Sequence, residues 1–152
     1  MADTHDRLRI RESDGHREVF DPARRRWVAL TPEEWVRQHT VLMLHEGYGY
    51  PWELMRVEGA ITVGSLTKRC DIVVYGSDVT PRMVVECKQE EVAITQRVVD
   101  QACRYNTVLR VPFLLLTNGR TLLCLRQFGQ TLQQVALPRW EELNATDFPK
   151  GQ

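Results

Sequence analysis

Apolar and polar positions change rhythm along the chain, and each rhythm marks an element. Leu8-Arg-Ile-Arg alternates with period two and Asp14-Gly15 is a turn dipeptide, so a peripheral hairpin is expected over about residues 7–20. Thr31-Pro32-Glu33-Glu34 starts a helix. Thr31 suits the N-cap, Pro32 the first helical position, and Glu34 the place from which a capping-box carboxylate reaches back. That helix is expected to run to about His45, with Trp35, His39, Leu42 and Glu46 near one face, Val36 and Met43 beside it, and Gly47 to Pro51 ending it. Leu54 to Val63 reads as one strand with Gly64-Ser65 as its turn. Ile72 to Tyr75 and Met83 to Val85 are short apolar runs flanking a loop with Gly76, Ser77, Asp78 and Pro81, which predicts a second hairpin. A second helix is expected from about Ile94 to Arg110, with Ile94, Val98, Gln101, Ala102, Tyr105 and Leu109 facing the sheet, and Pro112 stopping it. Phe113 to Thr117 is almost wholly apolar, the mark of a strand buried on both faces. Asn118-Gly119 turns the chain into Thr121 to Phe128; Thr131 to Leu137 follows as an edge strand, and a short helix is expected near Arg139 to Leu143.

This order predicts a mixed α/β domain: a central mixed sheet flanked by helices, with an N-terminal β-hairpin extension. Residues 1–30 form the extension, 31–138 the core and 139–152 a short helix and tail, one domain overall, as 152 residues allow. Twenty Lys and Arg balance twenty Asp and Glu, so any attraction to nucleic acid must come from a local patch. Arg24-Arg25-Arg26 is either a solvated loop or such a patch. The four cysteines form no CxxC pair and read as small core residues, which argues against structural zinc. His5, His16, His39 and His45 have no metal-ligand spacing, and no Gly-x-Ser-x-Gly elbow or P-loop occurs. No apolar stretch suggests a signal peptide or membrane span, so a cytoplasmic location is expected and the Asn144-Ala-Thr146 sequon is discounted.

The candidate chemistry lies in Asp71 to Lys88. Placing Tyr75 opposite Arg82 across the loop puts Asp71 opposite Glu86, and Lys88 shares Glu86's strand face. Two carboxylates and an ammonium at one end of a hairpin are either an ion pair or a site for metal-assisted phosphodiester hydrolysis. Mg²⁺ is commonly held by one or two carboxylates, and a lysine can orient the nucleophile and neutralise phosphoryl oxygens. Charge that directly continues the buried run Met83-Val84-Val85 is costly without a partner or a task. Cys87 should point away from the Glu86 and Lys88 face.

Asp71 before an apolar strand and Glu86-Cys87-Lys88 after another resemble the PD-(D/E)xK nuclease pattern, although Cys70 stands where proline gives that pattern its first letter. Gln101 and Tyr105 have the Gln-x-x-x-Tyr spacing found in its RecB-like and type I restriction branches. The run from Leu30 through Asn118-Gly119 is similar to the N-terminal nuclease domain of type I restriction enzyme R subunits, and the likeness covers about residues 18–138. The resemblance implies a restriction-endonuclease-like core acting on DNA. Asp71 and Glu86 would be metal ligands with the Cys87 carbonyl as a further one, Lys88 the catalytic lysine, and Gln101 and Tyr105 auxiliary. The implied cofactor is Mg²⁺, with Mn²⁺ as a substitute, and the implied partners are DNA and a second copy or a targeting protein. The family also places an acid on the first helix; Glu34, Glu46 and Glu58 all remain open for that role. The alternative function is a non-cleaving nucleic-acid- or protein-binding module of the same fold.

Overall fold

The computed structural model describes residues 8–146. The last part of the tail and residues 1–7 of the extension lie outside that range. At the start of the described chain, β1 (Ile10–Ser13) and β2 (His16–Asp21) form the expected hairpin around Asp14-Gly15, where both residues take positive φ. A third strand, β3 (Arg26–Ala29), pairs with β2, so the extension is a three-stranded antiparallel sheet and not a bare hairpin. At four residues, Arg26-Trp27-Val28-Ala29 is too short to show a strand period in the sequence. Arg24 is neither solvated loop nor surface patch, because its guanidinium turns inward onto Asp21 and Glu34.

Helix α1 (Pro32–Tyr48) starts as its sequence dictates, with the Thr31 hydroxyl accepting the Glu34 N–H, and ends at Gly49 in a left-handed cap at φ 80°. The capping box, however, does not close. The Glu34 carboxylate is buried and taken by Arg24, Arg37 and Gln38, side chains that offer charged and amide donors in place of one backbone N–H. The buried face is also rotated from the expected one: Val36, Thr40, Val41 and Leu44 are inside, Trp35 and His39 are half-buried and Glu46 is exposed.

The stretch expected as one strand from Leu54 to Val63 is broken. After a 3-10 turn (Trp52–Leu54), β4 (Met55–Val57) joins the central sheet; Glu58 then takes φ 54°, and β5 (Ala60–Val63) leaves to pair with β6 (Leu66–Arg69) in a separate two-stranded sheet. Gly59 permits the departure, since a Cβ there would stand 3.2 Å from Arg56 and 3.3 Å from Val73.

The central hairpin is β7 (Ile72–Tyr75) and β8 (Pro81–Cys87). Its register is Ile72↔Val85, Val73↔Val84 and Val74↔Met83, the expected one. A bulge next to the loop puts Tyr75 opposite Pro81 and leaves Arg82 as the extra residue. Strand β9 (Phe113–Thr117), buried at every position, runs parallel to β8, and β10 (Leu122–Phe128) and β11 (Thr131–Val135) complete a six-stranded sheet of order β11-β10-β9-β8-β7-β4. The parallel β8–β9 step needs a crossover, and α2 (Gln96–Leu109) supplies it. A short α3 (Trp140–Ala145) ends the described chain.

Period-two alternation sorts the sheet into two cores. Ile72, Val74, Met83, Val85, Cys87 and Leu115 pack under Val36, Val41 and Leu44 of α1. Val73, Val84 and Leu114 pack under Leu109 of α2 with Ala102 and Cys103 beside them. Cys87 thus faces α1 and stands away from Glu86 and Lys88, as expected. The interior polar residue of α2 is Asn106, whose amide exchanges two hydrogen bonds with the Val111 backbone and closes the helix end. Gln101, expected on the packed face, is instead exposed.

Candidate active site

The two cores end, at one edge of the hairpin, in charge. One step beyond the Ile72↔Val85 pair, Asp71 and Glu86 stand across from each other, close enough for their carboxyl groups to hydrogen-bond. Asp71 sits just ahead of β7, so its carboxylate reaches the other layer as well. Oδ1 accepts Arg37 Nη2 at 2.9 Å from α1, and Oδ2 accepts the Cys87 N–H at 2.8 Å. Arg37 in turn donates to Glu34 at 2.8 Å and to Glu58 at 3.2 Å. Arg24 completes the group against Asp21, Glu34 and Glu58. Burial pulls the Arg37 guanidinium down, but the hydrogen bond to Asp71 and the charges of Glu34, Asp71 and Glu58 outweigh it and hold it above its ordinary value. Arg24 is held up in the same way by Asp21 and Glu34 against its own burial.

Of the three acids left open for the first-helix role, Glu34 and Glu58 therefore reach the Asp71 network. Glu46 is twelve residues beyond Glu34, about 18 Å along the helix at 1.5 Å per residue, and lies outside it.

Glu86 faces the opposite way, into a cleft between the sheet and α2. The cleft is lined by Glu86, Lys88, Lys68, Gln101 and Tyr105 over a floor of Val84, Leu114 and Leu116. Four of the five side chains singled out in the sequence thus share one cavity, and the fifth, Asp71, stands behind Glu86. The backbone holds Lys88 there, because its N–H continues the sheet ladder to the Thr117 carbonyl at 2.8 Å. Gln101 and Tyr105, one helical turn apart, form the opposite wall. The cavity volume is about 70 Å³, room for several waters at roughly 10–15 Å³ each.

Burial and, after it, Asp71 raise the Glu86 carboxyl while Lys68 and Lys88 pull it down, and the balance leaves it at about 7. Lys68 is the ammonium nearest to Glu86, 3.5 Å away, and it also lies 4.8 Å over the Tyr105 ring. The sequence did not single out Lys68, Arg37 or Arg24 as site neighbours. Lys68 carried one local signal, its place three residues before Asp71.

Among the described residues no group of three or more His, Cys, Asp and Glu side chains gathers to hold a metal ion. An oxygen site here would consist of the Asp71 and Glu86 carboxylates, the Cys87 carbonyl and water, the sparse donor set that Mg²⁺ accepts. Asp71 Oδ1 takes two N–H donors of Arg37, at 2.9 and 3.3 Å, whereas Oδ2 accepts the Cys87 N–H and keeps a lone pair for a cation.

A mixed sheet with a helix on each face, an aspartate opening one hairpin strand and Glu-x-Lys closing the next, defines a small restriction-endonuclease-like α/β domain. The chain belongs to the family of the type I restriction enzyme R protein N terminus (HSDR_N), whose profile matches residues 32–138. Among solved structures it is similar to a fragment of a protein provisionally assigned as the HsdR subunit of a type I restriction enzyme from Vibrio vulnificus YJ016. The TM-score is 0.54 at 22% identity, over 75% of this chain and 24% of that one. This chain therefore spans about a quarter of that protein's length, and the likeness speaks to the fold. A provisionally assigned nuclease belonging to DUF820 from Anabaena variabilis ATCC 29413 also matches, at TM-score 0.47 and 13% identity, over 79% of this chain and 86% of that one. No curated protein matches the chain in sequence. No helix among the described residues is long and apolar enough to cross a membrane.

Proposed function

We propose that this chain is a Mg²⁺-dependent nuclease domain that hydrolyses DNA phosphodiester bonds, with Mn²⁺ as a substitute metal. The observation that carries it is the Glu86 cleft: a half-buried carboxyl, raised to about 7 beside Asp71, opens with Lys88 onto a cavity between the sheet and α2. Close carboxyl groups resist ionising together until a cation lies between them, so the pair is suited to a hard divalent ion. When bound, that ion supplies Lewis acidity to the phosphoryl group and a more acidic water. The chain's own residues do the rest. Asp71 and Glu86 would hold the ion, with the Cys87 carbonyl as a third oxygen. Lys88 orients the attacking water and neutralises charge growing on the phosphoryl oxygens. Gln101 and Tyr105 position the strand from α2, and the apolar floor keeps excess water out.

The neutral net charge favours weak unaided binding to DNA, so a second copy or a subunit that delivers DNA completes the working assembly. A cytoplasmic setting fits this role.

One observation favours a second reading, a module of nuclease fold that binds without cleaving. Both Asp71 oxygens already serve the fold, one bound to Arg37 and the other to the Cys87 N–H. Incubating the purified protein with plasmid, single-stranded DNA and RNA, in Mg²⁺, Mn²⁺ or EDTA, separates the two. Metal-dependent cleavage that disappears in Lys88→Ala is the expected result. Binding without cleavage of any substrate, unchanged in Lys88→Ala, would establish the module.

A further inference from the structure

The cleft contains a second lysine that the Asp…Glu-x-Lys arrangement does not use. Lys68 lies on the β5–β6 hairpin, outside the six-stranded sheet, and lines the same cavity as Lys88. Its three neighbours are the Arg69 carbonyl at 2.9 Å, Glu86 at 3.5 Å and the Tyr105 ring at 4.8 Å. Only the Arg69 carbonyl holds it by a hydrogen bond of ordinary length, and that bond takes one of its three N–H donors. The Glu86 contact is well beyond the roughly 2.7–2.9 Å of a charge-assisted hydrogen bond. The ring attracts a cation without directing its protons. A lysine held this way is a point charge on a flexible stem, with N–H donors to spare.

We propose that Lys68 binds a phosphate of the nucleic-acid strand, exchanging its contact with Glu86 for a phosphoryl oxygen while Tyr105 keeps the ammonium over the cavity mouth. The inference rests on the nuclease-type reading of the same cleft. Its physical basis is a competition for Glu86. Once that carboxylate is neutralised by a divalent cation, the weak contact to Lys68 loses its charge partner. The lysine then faces an incoming anion one cavity's width away. Lys88, fixed by its backbone to β9, serves the reacting group, whereas Lys68 on the separate hairpin sets which stretch of backbone lies in the cleft.

The test measures binding and not cleavage, with a fluorescein-labelled short DNA duplex and its single strand, in Ca²⁺ and in EDTA, across a salt series. Lys68→Ala is expected to weaken binding about tenfold and to lower the slope of log affinity against log salt by roughly 0.7–0.9, the loss of one phosphate contact. Lys68→Arg is expected to restore both, and Lys68→Met, which keeps the stem over Tyr105, to behave like the alanine variant. Thermal melting of all three should match the parent, since Lys68 is outside the central sheet. Unchanged affinity and slope in Lys68→Ala, or a parent protein that binds neither DNA, would overturn the proposal. If the parent binds DNA but cuts nothing, and Lys68→Ala still loses the phosphate contact, the cleavage function fails while the role of Lys68 stands.

Discussion

Two clusters of charge flank the same hairpin edge, and they differ in how completely they are partnered. On the α1 side, Arg24, Arg37, Glu34 and Asp71 are largely buried and joined by hydrogen bonds of 2.7–2.9 Å. On the α2 side, Glu86, Lys68 and Lys88 border an open cleft, and their closest ion-pair contact is 3.5 Å. Buried charges held by short hydrogen bonds to opposite charges have a structural task. Charges left loosely paired around a cavity are available to a ligand. Asp71 and Glu86 are neighbours at the hairpin edge, yet one belongs mainly to the frame and the other to the opening. The frame fixes Asp71, and through the Cys87 N–H it fixes the end of β8 from which Glu86 and Lys88 project.

Substitutions should separate the clusters. The largest effect is expected from Lys88→Ala. Removing a group that stabilises the transition state typically costs a factor of about 100–1000 in rate, so cleavage should fall by that much with the melting temperature unchanged. Arg37→Ala should do the reverse in kind. Removing one partner from a buried ion cluster costs about 3–5 kcal/mol, which for a domain of this size lowers the melting temperature by roughly 6–20 °C, as scanning calorimetry would record. A variant that melted like the parent would show that the α1-side cluster does not bear on stability.

Glu86→Gln is expected to act through pH. In the metal-free protein Glu86 binds its proton more tightly folded than unfolded, its carboxyl being raised from 4.5 to about 7. The resulting stabilisation is complete below about pH 4.5 and is lost as pH rises through about 7, by up to about 3 kcal/mol. Urea unfolding of the parent in EDTA should show this decline and Glu86→Gln should lack it. Mg²⁺ should stabilise the parent more at pH 8 than at pH 5. The smallest expected effect belongs to Thr31→Ala, which removes the α1 cap for about 1 kcal/mol and leaves cleavage per folded molecule intact. It is the control for ordinary loss of stability.

The sequence made the open cluster more legible than the closed one, for a physical reason. Strand period and loop length are local, and they placed Asp71 opposite Glu86 despite the bulge at Arg82. Helical spacing likewise put Gln101 and Tyr105 on one wall, although it rotated the packed face by about one residue and missed Asn106 as the buried amide. The closed cluster joins residues distant along the chain, such as Arg37 with Asp71 and Arg24 with Glu34, and no local pattern encodes those meetings. Glu34 satisfied the capping-box rule, and tertiary donors outcompeted it. The break at Glu58 depends on a non-glycine residue at positive φ, and β3 and β6, at four residues each, are too short to show a strand rhythm.

The central claim is that Asp71 and Glu86, although drawn to different sides of the sheet, share one divalent cation at its edge. Anomalous diffraction from crystals grown with Mn²⁺ tests it most directly. The account predicts a single strong peak between the two carboxylates, on the cleft side of β8, that is absent from Glu86→Gln crystals. A site with no peak while Arg37 and the Cys87 N–H hold Asp71, in crystals that carry Mn²⁺ elsewhere, would contradict it.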